Sequence, residues 1–180
     1  LLANSMWRCT DHKMRKVAIV TPSGGGGALG ADALSEQGVE LSRFSEKTRA
    51  VLAQHFPQGQ ADNPVDLGAR ITQDAAVVAE ATLGAMYADE ESDAVLVTSS
   101  MCPQEWVDGL VEVSTRAEVA SHKPVIYAFE AGSTSQRLRD KLAERGFAFS
   151  SSTLECSLAL AAWKQRSEWR ARVLPERPSG

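Results

Sequence analysis

The 180-residue sequence has few cysteines, no excess of basic side chains and no long apolar run. Its three cysteines, Cys9, Cys102 and Cys156, are odd in number and widely spaced. That pattern fits neither a disulfide framework nor a zinc cluster, and it favours a reducing cytoplasm. The formal net charge is −4 and no basic stripe is present, which argues against nucleic-acid partners and anionic membranes. The longest apolar stretch, 157–163, is far shorter than the roughly 18 residues that span a bilayer.

Side chains suited to catalysis are also scarce. The three histidines, His12, His55 and His122, each stand apart from other candidate catalytic groups. Cys102 follows a predicted strand but has no basic neighbour in the sequence to lower its pKa. We therefore expect no catalytic side chain, and the absence of metal-ligand spacing predicts no metal site. The sequence starts without Met or a signal-peptide pattern, so we expect a piece of a longer protein.

Apolar segments rich in β-branched residues alternate with amphipathic segments along the chain. The three clearest strand and helix pairs are 16–21 with 28–37, 92–98 with 104–120, and 123–129 with 134–145. Shorter strands are predicted at 39–44 and 147–150, and further helices at 46–55, 73–89 and 152–170. Continuous apolar strands indicate a parallel sheet covered on both faces. The sequence therefore predicts an α/β fold, a flavodoxin-like three-layer sandwich with about five parallel strands in the order 2-1-3-4-5.

The predicted elements form one domain with a readable last helix. The assignments are a connector at 1–14, the domain at 15–170 and a tail at 171–180. A capping-box sequence, S-T-L-E at 152–155, marks the start of the last helix. Leu154, Leu158 and Ala161 or Ala162 are expected to form its buried stripe.

Four consecutive glycines join the first predicted strand to the first predicted helix. Two interpretations stay open, because glycine makes tight turns and also lets a ligand approach main-chain amides at a helix N-terminus. The position between a buried strand and a helix favours phosphate or another anion. The candidate anion-binding residues are Ser23, Gly24, Gly25, Gly26 and Gly27. The dinucleotide fingerprint is matched only through this glycine run, and Ala31 stands where a P-loop requires lysine.

Several polar residues are candidates for the lining of an adjacent cleft. In N-P-V-D-L at 63–67, Pro64 keeps the preceding residue out of helix geometry. A capped turn that feeds a short strand is favoured there over a role in a cleft. Asp32, about two turns beyond the glycines, could likewise line the cleft or simply lie in solvent, and a solvated carboxylate is the commoner case. The candidate cleft-lining residues are Asp32, Asn63, Asp66, Ser99 and Ser100.

Five short segments, in this order, carry a family resemblance. They are K-V-A-I-V-T-P-S-G-G, A-D-A-L-x-E-Q-G-V-E-L, N-P-V-D-L, S-D-A-V-L-V and K-P-V-I, followed by a closing helix rich in Leu and Ala. The chain from about 15 to 169 resembles the flavodoxin-like CoA-ligase module of NDP-forming, or ADP-forming, acyl-CoA synthetases, which are related to succinyl-CoA synthetase. The family's usual loop has Asn at the position of Pro22 and Pro at the position of Gly26, so this chain has a different loop.

The resemblance implies that this module binds the phosphoryl group and docks against other domains, and that it does not supply a nucleophile. Complete enzymes of this family convert acid, CoA and ATP to acyl-CoA, ADP and phosphate through a phosphohistidine, with Mg²⁺. Their partner domains bind CoA, carry the histidine in a Ser-His-Thr-Gly segment, or grasp ATP, and this sequence contains no such segment. By analogy, amides of Ser23, Gly24 and Gly25 lie near the phosphoryl group, while Asn63 and Asp66 shape the cleft. The isolated chain is expected to be inactive and to bind no cofactor by itself, apart from phosphate or sulfate.

Two other functions stay open at this point. Some bacterial protein lysine acetyltransferases carry a similar synthetase-like region, and nothing in this chain distinguishes the two parents. A different class is a flavodoxin-like module that stands alone and binds a nucleotide or a flavin through the glycine run.

Overall fold

The computed structural model describes residues 13–56, 61–68, 75–99, 109, 111–116, 123–130 and 132–173. Within these ranges six strands form one sheet in which every pairing is parallel. The strands are β1 Lys16–Thr21, β2 Glu40–Leu41, β3 Val65–Asp66, β4 Ala94–Ser99, β5 Val125–Phe129 and β6 Ala148–Ser150. Their order is β2-β1-β4-β5-β6, and β3 pairs with the carboxyl-terminal part of β1. The α/β prediction is confirmed. If the short β3 is left out and the later strands are renumbered, the observed order is the predicted 2-1-3-4-5.

Helices cover both faces of the sheet, as the absence of alternation in the strands predicts. They are α1 Gly24–Glu36, α2 Glu46–Leu52, α3 Ala75–Ala88, α4 Gln136–Glu144, which a 3₁₀ turn at Gly132–Ser135 precedes, and α5 Thr153–Val173. Residues 111–116 are also helical. The remainder of the helix predicted at 104–120 lies outside the described residues.

The two faces of β1 show how the layers are built. Val17 and Ile19 pack in one buried cluster with α1 and α5. Ala18 and Val20 point the other way, into a cluster that contains side chains of α2, α3, α4 and residues 111–116. Because successive side chains of a strand alternate between faces, two separate cores result. This arrangement is the expected three-layer sandwich.

The start of α1 corrects the predicted boundary. We expected a glycine loop and then a helix from residue 28, whereas α1 begins at Gly24, so that all four glycines form its first turn. Glycine is among the weakest helix formers, and the sequence pattern therefore placed the start too late. Tertiary packing around this turn overrides the propensity, as the candidate site shows.

The buried face of α5 is also different from the predicted one. Leu154 and Leu158 are 53% and 45% exposed, whereas Cys156, Leu160 and Trp163 are fully buried. The predicted stripe was wrong, except that Ala161 is buried. The buried face combines the large side chains of Leu160 and Trp163 with small ones such as Cys156, and together they fill the space against the sheet. The helix ends at Val173, three residues beyond its predicted end.

Buried polar groups fix the edge of the sheet at the amino-terminal ends of its strands. Asp93 Oδ2 accepts hydrogen bonds from the backbone N–H of Arg15 at 2.8 Å and of Lys16 at 2.9 Å. Lys123 Nζ donates to the carbonyl of Met86 at 3.3 Å and to that of Asp89 at 2.5 Å, at the end of α3. Burial lowers the pKa of Lys123 to about 8, against the opposing effect of Asp89. No helix in the described ranges is long and apolar enough to cross a membrane.

Candidate anion-binding site

The N-terminus of α1 lies at the carboxyl end of β1, where open α/β sheets usually bind ligands. Ser23 is its N-cap, with extended backbone angles (φ −141°, ψ 115°), and its hydroxyl accepts from the N–H of Gly26 at 3.4 Å. Thr21, the last residue of β1, holds this turn in place. Its hydroxyl accepts from Ser23 N–H at 3.0 Å and donates to the Ser23 carbonyl at 2.9 Å. These two hydrogen bonds fix the geometry of the connection between β1 and α1.

Close approach by neighbouring strands explains most of the glycine run. A methyl group on Gly27 would lie 2.9 Å from Thr21 Cγ2 and 3.1 Å from Pro64 Cβ. A methyl group on Gly24 would lie 3.0 Å from Asp66 Oδ2. Gly27 therefore needs glycine, whereas at Gly24 a methyl group would require the Asp66 carboxylate to shift by a few tenths of an ångström. At Gly25, by contrast, the nearest atom to such a methyl group is the Ser23 hydroxyl oxygen at 3.9 Å, so packing leaves that position open.

Two amides at this helix terminus are available to a ligand. Gly24 and Gly25 are exposed, and within the described residues their N–H groups form no hydrogen bond. Unpaired N–H groups and the helix dipole together give a helix N-terminus a partial positive charge. The Thr98 side chain of β4 is 3% exposed, and its hydroxyl has no partner in the described part of the chain. That hydroxyl lies 3.4 Å from the position of a methyl group on Gly26.

Asp66 borders the same turn. Its Oδ1 accepts from the backbone N–H of Gly68 at 2.8 Å, while Oδ2 faces Gly24. Strand β3 is held beside β1 by a further bond, from Leu67 N–H to the Thr21 carbonyl at 2.7 Å. The structure thus brings Asp66 together with the glycine turn, and it also makes Val65–Asp66 the short strand expected from the N-P-V-D-L sequence.

The side-chain amide of Asn63 bonds to the backbone of two neighbouring segments. Its Oδ1 accepts from Ile19 N–H at 2.8 Å, and its Nδ2 donates to the carbonyls of Val17 at 2.8 Å and Ser42 at 3.2 Å. The amide therefore ties the middle of β1 to the segment after β2, as the favoured structural interpretation expects. Asp32 is exposed on α1, and Ser99 ends β4. The side chain of Ser99 and the whole of Ser100 lie outside the described residues.

The neighbouring helix terminus, that of α5, is already occupied by a carboxylate of this chain. Glu130 Oε1, just beyond β5, accepts from the N–H of Thr153 at 3.3 Å and from its hydroxyl at 2.9 Å. Ser152 Oγ accepts from Glu155 N–H at 3.3 Å, so half of the predicted capping box is confirmed. The other half is replaced, because Ser152 N–H donates to Ser150 Oγ at 3.1 Å. Among the described residues, the first amide of α5 is therefore paired with a carboxylate of this chain, whereas the first amides of α1 have no such partner.

Sequence reasoning missed three residues that build this edge, Thr21, Thr98 and Glu130. Each stands at the end of a strand or just beyond it. Polar residues at the carboxyl ends of three buried strands were a usable signal, because parallel strands bring these ends to one edge. Fold and site together define a flavodoxin-like α/β module with an exposed helix N-terminus built from glycine.

Comparisons with known proteins agree with this description. The curated relative is the alpha subunit of an ADP-forming acetate–CoA ligase II of Pyrococcus furiosus, 30% identical over 141 residues, which are 74% of this chain and 30% of that subunit. A solved structure from Pyrococcus horikoshii OT3 is 25% identical with a TM-score of 0.76, covering 92% of this chain and 40% of that one. No protein-family model matches the chain. The resemblance to the CoA-ligase module of NDP-forming acyl-CoA synthetases is confirmed.

A second solved structure supports the fold. The acetyl-coenzyme A synthetase 1 of Ca. Korarchaeum cryptofilum, described as dinucleotide forming and in complex with phosphate and ADP, has a TM-score of 0.77 at 17% identity. The match covers 98% of this chain and 39% of that one. The chain thus spans less than half the length of each of these relatives.

Proposed function

We propose that this chain is one module of an NDP-forming acyl-CoA synthetase, and that the N-terminus of α1 receives the phosphoryl group during the reaction. The observation that carries the proposal is the pair of exposed, unpaired amides at Gly24 and Gly25, beside the Thr98 hydroxyl. Phosphoryl transfer is catalysed mainly by positioning and by stabilisation of negative charge, and a fixed helix terminus supplies both. The histidine that carries the phosphoryl group belongs to another domain.

Asp66 gives this terminus a selective character. A free phosphate dianion that approaches Gly24 meets the carboxylate of Asp66, which disfavours it through like-charge repulsion. A phosphoryl group attached to an imidazole comes with a second ring nitrogen, which is an N–H donor when the ring is protonated, and that donor can pair with the carboxylate. The arrangement therefore supports a phosphohistidine as the group bound, in preference to free phosphate.

The remaining components come from partner domains. CoA and ATP or ADP with Mg²⁺ bind elsewhere in the complete enzyme, which works in the cytoplasm. Leu29, one turn beyond the glycines on α1, is 62% exposed. An apolar side chain so close to the proposed phosphoryl position supports direct docking of the histidine-bearing domain over this end of α1. Alone, the 180-residue chain is expected to form no acyl-CoA from acid, ATP and CoA.

Phosphate titration of the ¹⁵N-labelled chain, followed by NMR, tests the site. Because Asp66 disfavours the free dianion, we expect inorganic phosphate to bind weakly, with small but saturable shifts of the Gly24, Gly25 and Gly26 amides that sodium chloride at equal ionic strength does not reproduce. In the G25D variant the new carboxylate lies at an open position and neutralises the same amides, so the response to phosphate should be lost. G25N is the matched control, since it has nearly the same shape without the charge, and it should keep most of the response. Shifts confined to other regions, or equal loss in both variants, would refute the proposal.

A further inference from the structure

A second polar cleft lies at the end of β2, and no residue of the glycine run is among its described lining residues. Its volume is about 440 Å³, within the range of small-molecule sites. The described residues that line it are Ser42, Arg43, Phe44, Arg49, Asp62 and Asn63. The segment after β2, the first turns of α2 and the chain before β3 therefore meet at this cleft.

The walls of the cleft are fixed by hydrogen bonds. Asn63 connects β1 with the Ser42 carbonyl through its side-chain amide. At the start of α2, Ser45 Oγ accepts from Thr48 N–H at 3.3 Å, and Ser45 N–H donates to Asp89 Oδ2 at 3.2 Å. Both arginine backbones are thereby held in place before any ligand binds. A site whose walls are formed in advance pays little ordering entropy on binding.

The charged side chains of this cleft have no partner within the described part of the chain. Arg43, Arg49 and Asp62 are all exposed, and none of their side chains takes part in a hydrogen bond or an ion pair there. The Ser42 hydroxyl is buried in the wall and is also without a partner among the described residues. Two guanidinium groups against one carboxylate leave a local positive excess in a chain whose net charge is −4. The cleft is thus suited to an anion that also carries hydrogen-bond donors.

We propose that this cleft binds a small hydroxylated phosphate ester, such as a sugar phosphate. A phosphate monoester carries close to two negative charges at neutral pH, which matches two guanidinium groups, whereas a carboxylate carries one. Asp62 accepts hydrogen bonds from the hydroxyl groups of the ester. Inorganic phosphate shares the anionic part alone, and it therefore binds more weakly than the ester. This site is independent of the proposed role of α1.

Titration with ribose 5-phosphate and, separately, with inorganic phosphate tests the cleft by NMR. Ribose 5-phosphate at millimolar concentrations should shift the backbone amides of Arg43, Phe44 and Asp62 in a saturable way. R43Q and R49Q should each weaken its binding about tenfold or more, because each removes a charged hydrogen bond. Lys47, exposed on α2 and outside the cleft, provides the matched control, and K47Q should bind as the wild type does. The absence of saturable shifts in the cleft, or equal weakening by K47Q, overturns the proposal.

Asp62 decides whether the hydroxyl groups are recognised. D62N removes a like charge, so inorganic phosphate should bind several-fold more tightly. The same change weakens the contact with the sugar hydroxyls, so the preference for ribose 5-phosphate over phosphate should fall. A preference that D62N leaves unchanged would show that the cleft binds a bare anion, against the proposal. Shifts at Gly24 and Gly25 are recorded in the same spectra, and they report on the α1 terminus separately.

Discussion

Replacement of single glycines in the first turn of α1 by alanine distinguishes two effects on stability, steric overlap with neighbouring residues and the higher helix propensity of alanine. At Gly27 a methyl group would lie 2.9 Å from Thr21 Cγ2 and 3.1 Å from Pro64 Cβ. Thr21 is buried and bonded to Ser23, and the proline ring is rigid, so neither neighbour gives way easily. Overpacking of this kind costs roughly 1 to 3 kcal/mol, whereas the helix propensity of alanine returns about 1 kcal/mol. We expect G27A to lower the free energy of unfolding by up to about 2 kcal/mol.

Two matched variants, G25A and G84A, should change the free energy of unfolding in the opposite direction. G25A and G84A place their methyl groups in open surroundings, since no atom lies within 3.9 Å at the first position or within 4 Å at the second. Each should raise the free energy of unfolding by about 0.4 to 1 kcal/mol. Urea denaturation of the chain and its three variants gives these differences from the midpoints, provided that the slope is unchanged. If G27A proved as stable as G25A, the argument that tertiary contacts impose glycine at Gly27 would be wrong.

Two further perturbations follow from buried polar groups. The pKa of Lys123 is lowered to about 8 in the folded chain, so the unfolded chain binds more protons between about pH 8 and 10.5. The free energy of unfolding should therefore rise with pH in that window, by up to about 3 kcal/mol relative to K123M. Urea midpoints measured at each pH test this. Parallel pH profiles for the two proteins would contradict this. N63D removes the donor to the Val17 and Ser42 carbonyls and should lower the free energy of unfolding by about 1 to 3 kcal/mol in the same assay, whereas the exposed D62N should change it little. An N63D variant as stable as D62N would show that this amide is not needed to hold β1.

The order of the sheet could be predicted because its central strands β1, β4 and β5 are continuous apolar runs, each followed in the sequence by an amphipathic segment. Such runs are typical of strands buried on both faces, and the parallel order then follows from a small set of allowed connections. The short strand β3 is harder to predict, since two residues carry no periodicity. It was expected only through the local chemistry of Pro64 and Asp66.

Errors arose where tertiary contacts override local preference. Leu154 and Leu158 look like a buried stripe by composition, yet the helix packs through a different face that carries Cys156, Leu160 and Trp163. The glycine run looks like a loop by propensity, yet it is the first turn of α1, and at Gly27 the contacts with Thr21 and Pro64 leave no room for a side chain. Neither the buried face of α5 nor the start of α1 can be predicted from the sequence pattern alone, because both depend on contacts with residues distant in the sequence.

The two helix termini on this face of the sheet argue for the proposed role of α1. The chain neutralises the α5 terminus with its own Glu130, so it has the means to satisfy such a terminus internally. At α1 it instead places glycine at position 25, where a side chain would fit and where alanine would stabilise the helix by up to about 1 kcal/mol. Packing therefore explains Gly27, and in part Gly24, but not Gly25. The proposed phosphoryl site accounts for glycine at position 25, since a helix start without side chains lets an oxyanion reach the amides directly.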